Sequence, residues 1–378
     1  MKQCSSHISR FFLQTFILTV TGVFWLSHSY PQETTNKVTS ILFLEGATHY
    51  SFLIPHHREM WALTDGFYPV WELSVAIQTR GKSACQYYRN YPQFRLTYLY
   101  TDFGNSKPLG VMHAVVPNIR VPLIRGRKTQ LMFGFGLGAA HLSKKYHRTE
   151  NYRNLAIGSH YNAAIQFALS WRIRMSERMQ FQSGISMLHV SNGTVQSPNF
   201  GLNTPGIFAG LSWKLNKKKI NYMVPENLPV NKGKFNVRIM GMAATKQILS
   251  RPDRDFAVFA GSLMISAYYN NVNTFLIGVD AVYDASTEYI LEQDNKPVED
   301  WQEIVKTGVM AGHEWTFSGL GILLGMGYYL ENKNPDDAPV YTKIGISYNF
   351  LKFAFIGINL RTHWAKADFL GAGIGLKF

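Results

Sequence analysis

From Ile41 to Phe378 the chain alternates, one residue at a time, between apolar and small or polar side chains, in one short segment after another. In the last segment Leu370, Ala372, Ile374, Leu376 and Phe378 share one parity, and Phe369, Gly371, Gly373, Gly375 and Lys377 the other. Val340–Phe350 repeats the pattern, with Ile344 and Ile346 against Lys343, Gly345 and Ser347, and so does Leu131–Ala139, with Phe133 and Phe135 against Gly134 and Gly136. A period of two belongs to a β-strand whose faces meet different surroundings. Two architectures accept many such strands. In a soluble antiparallel sandwich the greasy face turns inward. In a transmembrane barrel it turns out to lipid, and small or polar residues line the lumen.

Composition favours the second. Hydrophobic residues make up 46% of the 378-residue chain and aromatics 14%, with 31 glycines and only 16% charged residues. That is too apolar for a disordered chain. A mean hydropathy of -0.10 is too polar for a bundle of membrane helices, and beyond the N-terminus no apolar run reaches roughly 18 residues. The expected fold is therefore all-β: an antiparallel transmembrane outer-membrane β-barrel of 12–16 strands, sixteen being the best count. The segments lie near 41–54, 66–80, 92–104, 110–121, 129–143, 157–174, 178–191, 204–216, 234–248, 255–269, 272–285, 303–316, 319–331, 340–350, 353–363 and 368–378. A last strand ending in an aromatic, Phe378, resembles the C-terminal signature of bacterial outer-membrane barrels.

Residues 1–29 read as a cleaved signal peptide: Lys2 and Arg10 precede the apolar stretch Phe11–Leu26, and Ser27-His28-Ser29 offers small residues at the cut. This predicts export to the bacterial outer membrane. Of the two cysteines, Cys4 and Cys85, only Cys85 would remain, so no intrachain disulfide is expected. The formal charge falls from +14 to +12 with the signal removed, which suits a phosphate-rich membrane surface. No basic run with interleaved aromatics suggests a nucleic-acid partner. His56-His57 stands outside any Cys/Asp/Glu cluster of metal-binding spacing, and no phosphate-binding glycine loop occurs in context, so neither metal nor cofactor is expected.

With the N-terminus in the periplasm, the long polar connections 55–65, 144–156, 192–203, 286–302 and 332–339 follow odd strands and would be extracellular. Segment 217–233, KKKINYMVPENLPVNKG, is the exception, long yet periplasmic by parity, and it divides the strands into two groups of eight. The expected organisation is one barrel over 30–378: a first half to residue 216, a linker or periplasmic loop at 217–233, and additional strands over 234–378.

The strand Arg178–Ser191 carries the sharpest chemical signal. Met179, Phe181, Ile185 and Met187 share the lipid-facing parity with His189 and Ser191 at its outer end. Residues two apart on a strand share a face, so the imidazole can reach the hydroxyl as base to nucleophile. A polar rim is the alternative reading. His141-Leu142-Ser143, at the end of another strand, has the same spacing but no Asn-Gly after it.

The stretch His189-Val190-Ser191-Asn192, followed by Pro198-Asn199 and Gly201-Leu202-Asn203, resembles outer-membrane lipid A 3-O-deacylases of the PagL type, often labelled acyloxyacyl hydrolases. The detailed likeness covers about 25 residues, and that family's barrel is much shorter than this chain. The resemblance implies an esterase removing an ester-linked acyl chain from lipid A of lipopolysaccharide at the lipid-facing rim. Ser191 would be the nucleophile, His189 its general base, and Asn192 with the backbone N–H of Gly193 the holder of the oxyanion. That family carries a Glu twelve residues after the nucleophile; here the position is Asn203. An amide can fix a histidine tautomer but cannot offset imidazolium charge; Glu150, in the neighbouring loop, is an alternative acid. Lys144, Lys145 and Arg148 are candidates for holding sugar phosphates. The rival function is a non-catalytic barrel, a porin, transporter or structural member, retaining the motif.

Overall fold

The computed structural model describes residues 41–378, except 64, 65, 105, 218, 227, 229, 364 and 365; the expected signal peptide lies outside the described residues. The first eight strands are β1 (Ile41–Phe52), β2 (Phe67–Gln78), β3 (Gln93–Thr101), β4 (Met112–Arg125), β5 (Thr129–Leu142), β6 (Tyr161–Arg174), β7 (Met179–Ser191) and β8 (Leu202–Lys214). Eight more follow: β9 (Phe235–Ile248), β10 (Arg251–Tyr268), β11 (Asn273–Asp284), β12 (Val305–Phe317), β13 (Leu320–Glu331), β14 (Val340–Asn349), β15 (Ala354–His363) and β16 (Lys366–Lys377). All sixteen expected strands are present, antiparallel throughout. No described helix is long and apolar enough to cross a membrane.

The closure differs from expectation. There are two eight-stranded barrels, not one of sixteen. β1 pairs with β8, from Phe43 opposite Lys214 to Ser51 opposite Gly206. β9 pairs with β16, from Ala243 opposite Ala372 to Arg238 opposite Lys377. The break lies just after β8, where the described residues 215–217 and 219–226 form no strand and Pro225 has no N–H to donate to a ladder. The free edge of β8 is satisfied by β1 instead, and each barrel closes without an open edge.

In the first barrel, Leu73, Val75, Leu96, Val115, Leu169, Ile185, Ile207 and Leu211 stand exposed on the outer wall. A continuous apolar exterior of this kind needs a lipid solvent. Trp171 and Trp213 are about half exposed near the same end of the wall, as an interfacial girdle requires. An eight-stranded barrel is just wide enough for side chains to fill, and here they are charged. Glu45 accepts from Arg95 Nε at 2.9 Å, from Arg172 Nη2 at 3.2 Å and from Ser212 Oγ at 2.9 Å. Arg95 Nη2 also donates to Glu72 Oε1 at 2.6 Å, and Arg120 donates to Gln182. Glycine makes room: a Cβ on Gly136 would lie 2.6 Å from Asn118 Cβ, inside the lumen.

The second barrel repeats the scheme with other residues. Its outer wall presents Ile239, Phe259, Leu263, Ile265, Phe275, Ile277 and Val279. Inside, Asp280 accepts from Lys343 Nζ at 2.7 Å, Arg361 Nη2 at 3.1 Å, Tyr341 Oη at 2.7 Å and Ser262 Oγ at 2.6 Å. Asp284 takes Lys246 and Lys306 at 2.6 and 2.8 Å while its other oxygen caps the helix Ala285–Gln293 by accepting from Ser286 N–H.

Candidate active site at the rim of the first barrel

Two rules of strand geometry assemble this site. His189 and Ser191 lie two apart near the end of β7 and so share a face. The ladder between β7 and β8 sets Asn203 directly opposite His189, and directly opposed residues are the closest cross-strand neighbours. The outcome is a continuous hydrogen-bonded set: Ser191 Oγ to His189 Nε2 at 2.9 Å, and His189 Nδ1 to Asn203 Oδ1 at 2.7 Å. Ser191 is 5% exposed and His189 half-buried.

Glycine closes the site from the side. Gly201, at φ +78°, adopts a left-handed conformation that a side chain would strain. Its missing Cβ would sit 3.0 Å from His189 Cε1 and 3.4 Å from Ser191 Cβ. Any other residue here would be strained in its backbone and pressed against the pair.

Asn192 is occupied on both sides. Its backbone N–H donates to Asn199 Oδ1 at 3.0 Å and its side-chain N–H to Ser159 Oγ at 2.9 Å. The bond to Asn199 fixes that amide, leaving Asn199 Nδ2 buried and without a hydrogen-bond partner among the described residues. A buried unpaired donor is costly and marks a place where a ligand acceptor fits. Nothing in the residue pattern separates Asn199 from an ordinary loop amide; only its position in the resembling motif points to it. Gly193, at φ +63°, opens the segment 193–198, which groups with the second barrel's compact unit.

The alternative acid, the rival pair and the basic loop residues have partners or surroundings of their own. Glu150 is exposed in the loop between β5 and β6, where its backbone N–H donates to His147 Nδ1 at 3.2 Å, while the Nδ1 of His189 is taken by Asn203. His141 and Ser143 are not joined: His141 packs on His160 and Tyr161, and Ser143 Oγ accepts from Val111 N–H at 2.8 Å. Lys144 Nζ donates to Lys107 O at 2.8 Å, and Arg148 is exposed. Inside the barrel a second set, Ser186 Oγ to His49 Nδ1 at 2.8 Å and His49 Nε2 to Glu72 Oε2 at 3.1 Å, has the residue types of a hydrolase triad. There Glu72 is already tied to Arg95 and Gln166, and the set is part of the lumenal network that fills the barrel.

Residues 70–212 match the family model "Lipid A 3-O-deacylase (PagL)", and residues 235–378 match "Acyloxyacyl hydrolase, C-terminal domain". No curated protein matches the chain. Solved structures similar to it include Neisserial surface protein A, 8% identical with a TM-score of 0.33, covering 46% of this chain and 97% of the other. Another is the outer membrane enzyme PagL, 15% identical with a TM-score of 0.30, covering 44% of this chain and 97% of the other. A mutant Rh. blastica porin, 6% identical with a TM-score of 0.18, covers 90% and 100%. With one family match on each barrel, and the two together taking in most of the sequence, the chain belongs to the PagL-type lipid A 3-O-deacylases, a family of bacterial outer-membrane acyloxyacyl hydrolases.

Proposed function

We propose that the first barrel hydrolyses an ester-linked acyl chain of lipid A, with Ser191 as nucleophile and His189 as its base. The observation that carries this reading is the series Ser191, His189 and Asn203, each joined to the next within 2.9 Å. The Ser191 hydroxyl attacks the ester carbonyl while His189 Nε2 takes its proton. The tetrahedral oxyanion accepts a hydrogen bond from Asn199 Nδ2, the unpaired buried donor of the amide held by the backbone N–H of Asn192, the residue after Ser191. Collapse expels the sugar hydroxyl, which receives the proton from His189 and leaves an acyl-serine. A water molecule, deprotonated by His189, then releases the fatty acid and restores Ser191. Asn203 keeps the proton on His189 Nδ1, so that Nε2 is free to accept.

The substrate meets the site from the wall, since the pair stands at a strand end on the parity of the lipid-facing residues. This supports a membrane lipid over a soluble ester. The amide at position 203, in place of a carboxylate, favours the second reading, a barrel that retains the geometry without turnover.

The test is mass spectrometry of lipid A from membranes expressing the wild type or Ser191→Ala. Loss of one acyl chain, with a free 3-hydroxy acid, is expected in the wild type only. Lipid A unchanged in both would overturn the hydrolase in favour of the second reading.

A further inference from the structure

We propose that His56 is a positioning residue for this site, acting through the amide of Asn203. Its catalytic consequence rests on the hydrolase reading, while the tautomer it sets does not depend on turnover.

His56 lies beyond the end of β1, in a segment tied to β8 by Ile54 N–H donating to Asn203 O at 2.9 Å. Its Nε2 lies 2.9 Å from Phe200 O, and its Nδ1 lies 3.3 Å from Asn203 Nδ2. The ring of the neighbouring His57 stacks on Phe200 with centroids 4.1 Å apart, which steadies the same corner.

Donor and acceptor chemistry then runs in one direction. A carbonyl oxygen only accepts, so the proton of a neutral His56 ring sits on Nε2, donated to Phe200 O. The Ile54 carbonyl is also 3.3 Å from Nδ1, but a neutral imidazole carries one N–H, and the shorter contact takes it. Nδ1 is therefore a bare acceptor and attracts the amide N–H of Asn203. That turns Asn203 Oδ1 toward His189, which must carry its proton on Nδ1 and leave Nε2 to accept from Ser191.

The direction matters because an amide has two unlike ends. Flipped, Asn203 would offer N–H to His189 Nδ1 and drive the proton to Nε2, where it blocks acceptance from the serine. A carboxylate has two like ends and needs no such guide. His56 thus supplies, from 147 residues away along the chain, the polarity that the amide lacks by itself.

The test compares the wild type, His56→Ala, Asn203→Asp and the double variant, each in the full chain in detergent. Acyl release from lipid A is measured, and the His189 tautomer is read from imidazole 15N shifts. His56→Ala is expected to lower kcat about tenfold or more, within the roughly 10⁴-fold cost of a wrong tautomer in a Ser–His pair, with KM unchanged. It should also shift His189 toward Nε2–H. In the Asn203→Asp background, removing His56 should change neither quantity. Equal losses in both backgrounds, or an Nδ1–H tautomer that survives His56→Ala, would overturn the proposal. A wild type that releases no acyl chain sinks the hydrolase reading alone, since the tautomer shift still decides the role of His56.

Discussion

The two barrels close in the same way and end their seventh strands differently. β7 finishes with His189 and Ser191 on the parity of its outward residues. β15 finishes with His363 on the parity of Arg361, facing the lumen, 7% exposed. There His363 Nε2 meets Tyr329 Oη at 3.0 Å, and Nδ1 lies 3.6 Å from Asp337. A histidine at the end of the same strand thus joins a serine hydroxyl in one barrel and the internal polar packing in the other. What separates them is one step of parity, not strand count, closure or buried charge. Barrel closure is a scaffold property, and the chemistry depends on which face the strand end presents.

The largest expected effect sets the barrels furthest apart. Ser191→Ala should lower acyl release by on the order of 10⁴-fold or more, while His363→Ala leaves it within a few fold; mass spectrometry of lipid A measures both. A comparable loss from His363→Ala would dissolve the contrast and give the second barrel a share in the chemistry.

Next comes stability, where the barrels should resemble each other in kind. Arg95 joins Glu45 and Glu72, so Arg95→Ala leaves two buried carboxylates short of their shared cation, at a cost of about 3–5 kcal/mol. Arg361→Ala should cost less, because it takes a cation from one carboxylate, Asp280, rather than from two, and Lys343 still supplies Asp280 with a charge. Denaturant unfolding in detergent micelles gives the two values, and a reversed order would show that the number of carboxylates deprived of a cation does not govern the cost.

A third effect is confined to the first barrel. Asn199→Ala removes the unpaired donor and should reduce kcat by about 10²–10³-fold, the usual loss for one oxyanion donor, with little change in KM. Wild-type turnover in this variant would leave Asn199 Nδ2 with no catalytic part.

The smallest effect goes the other way. Asn203→Glu should raise kcat roughly ten- to a hundredfold, the range of a hydrogen bond that gains a charge. No gain would mean that the amide, oriented as it is, already suffices.

Much of this was legible in the sequence. The period of two located each of the sixteen strands to within four residues, because a wall between lipid and a filled lumen imposes unlike faces everywhere. Closure was not legible: the edge of β8 matches β9 and β1 equally well by pattern, and only 217–233 hinted at a break. His189 and Ser191 follow from strand geometry alone. Asn203 required the family resemblance, since nothing in one strand states its register with the next. His56 had no readable signal, because its role depends on a loop meeting β8 far along the chain. Loop adjacency makes Glu150 an alternative acid, and its side chain is exposed.

The register between β7 and β8 also determines where this protein tolerates changes in length. His189 faces Asn203 because the ladder is fixed from Met179 opposite Trp213 upward, so residues added to the connecting loop at 194–197 leave the opposition intact. One residue inserted within β8 between Asn203 and Trp213 would set Thr204 across from His189 and turn Asn203 to the other face. The barrel would still close, yet His189 would lose its hydrogen bond to Asn203. Drift in loop length therefore leaves the opposition of His189 and Asn203 unchanged, while a single frame step in the strand breaks it.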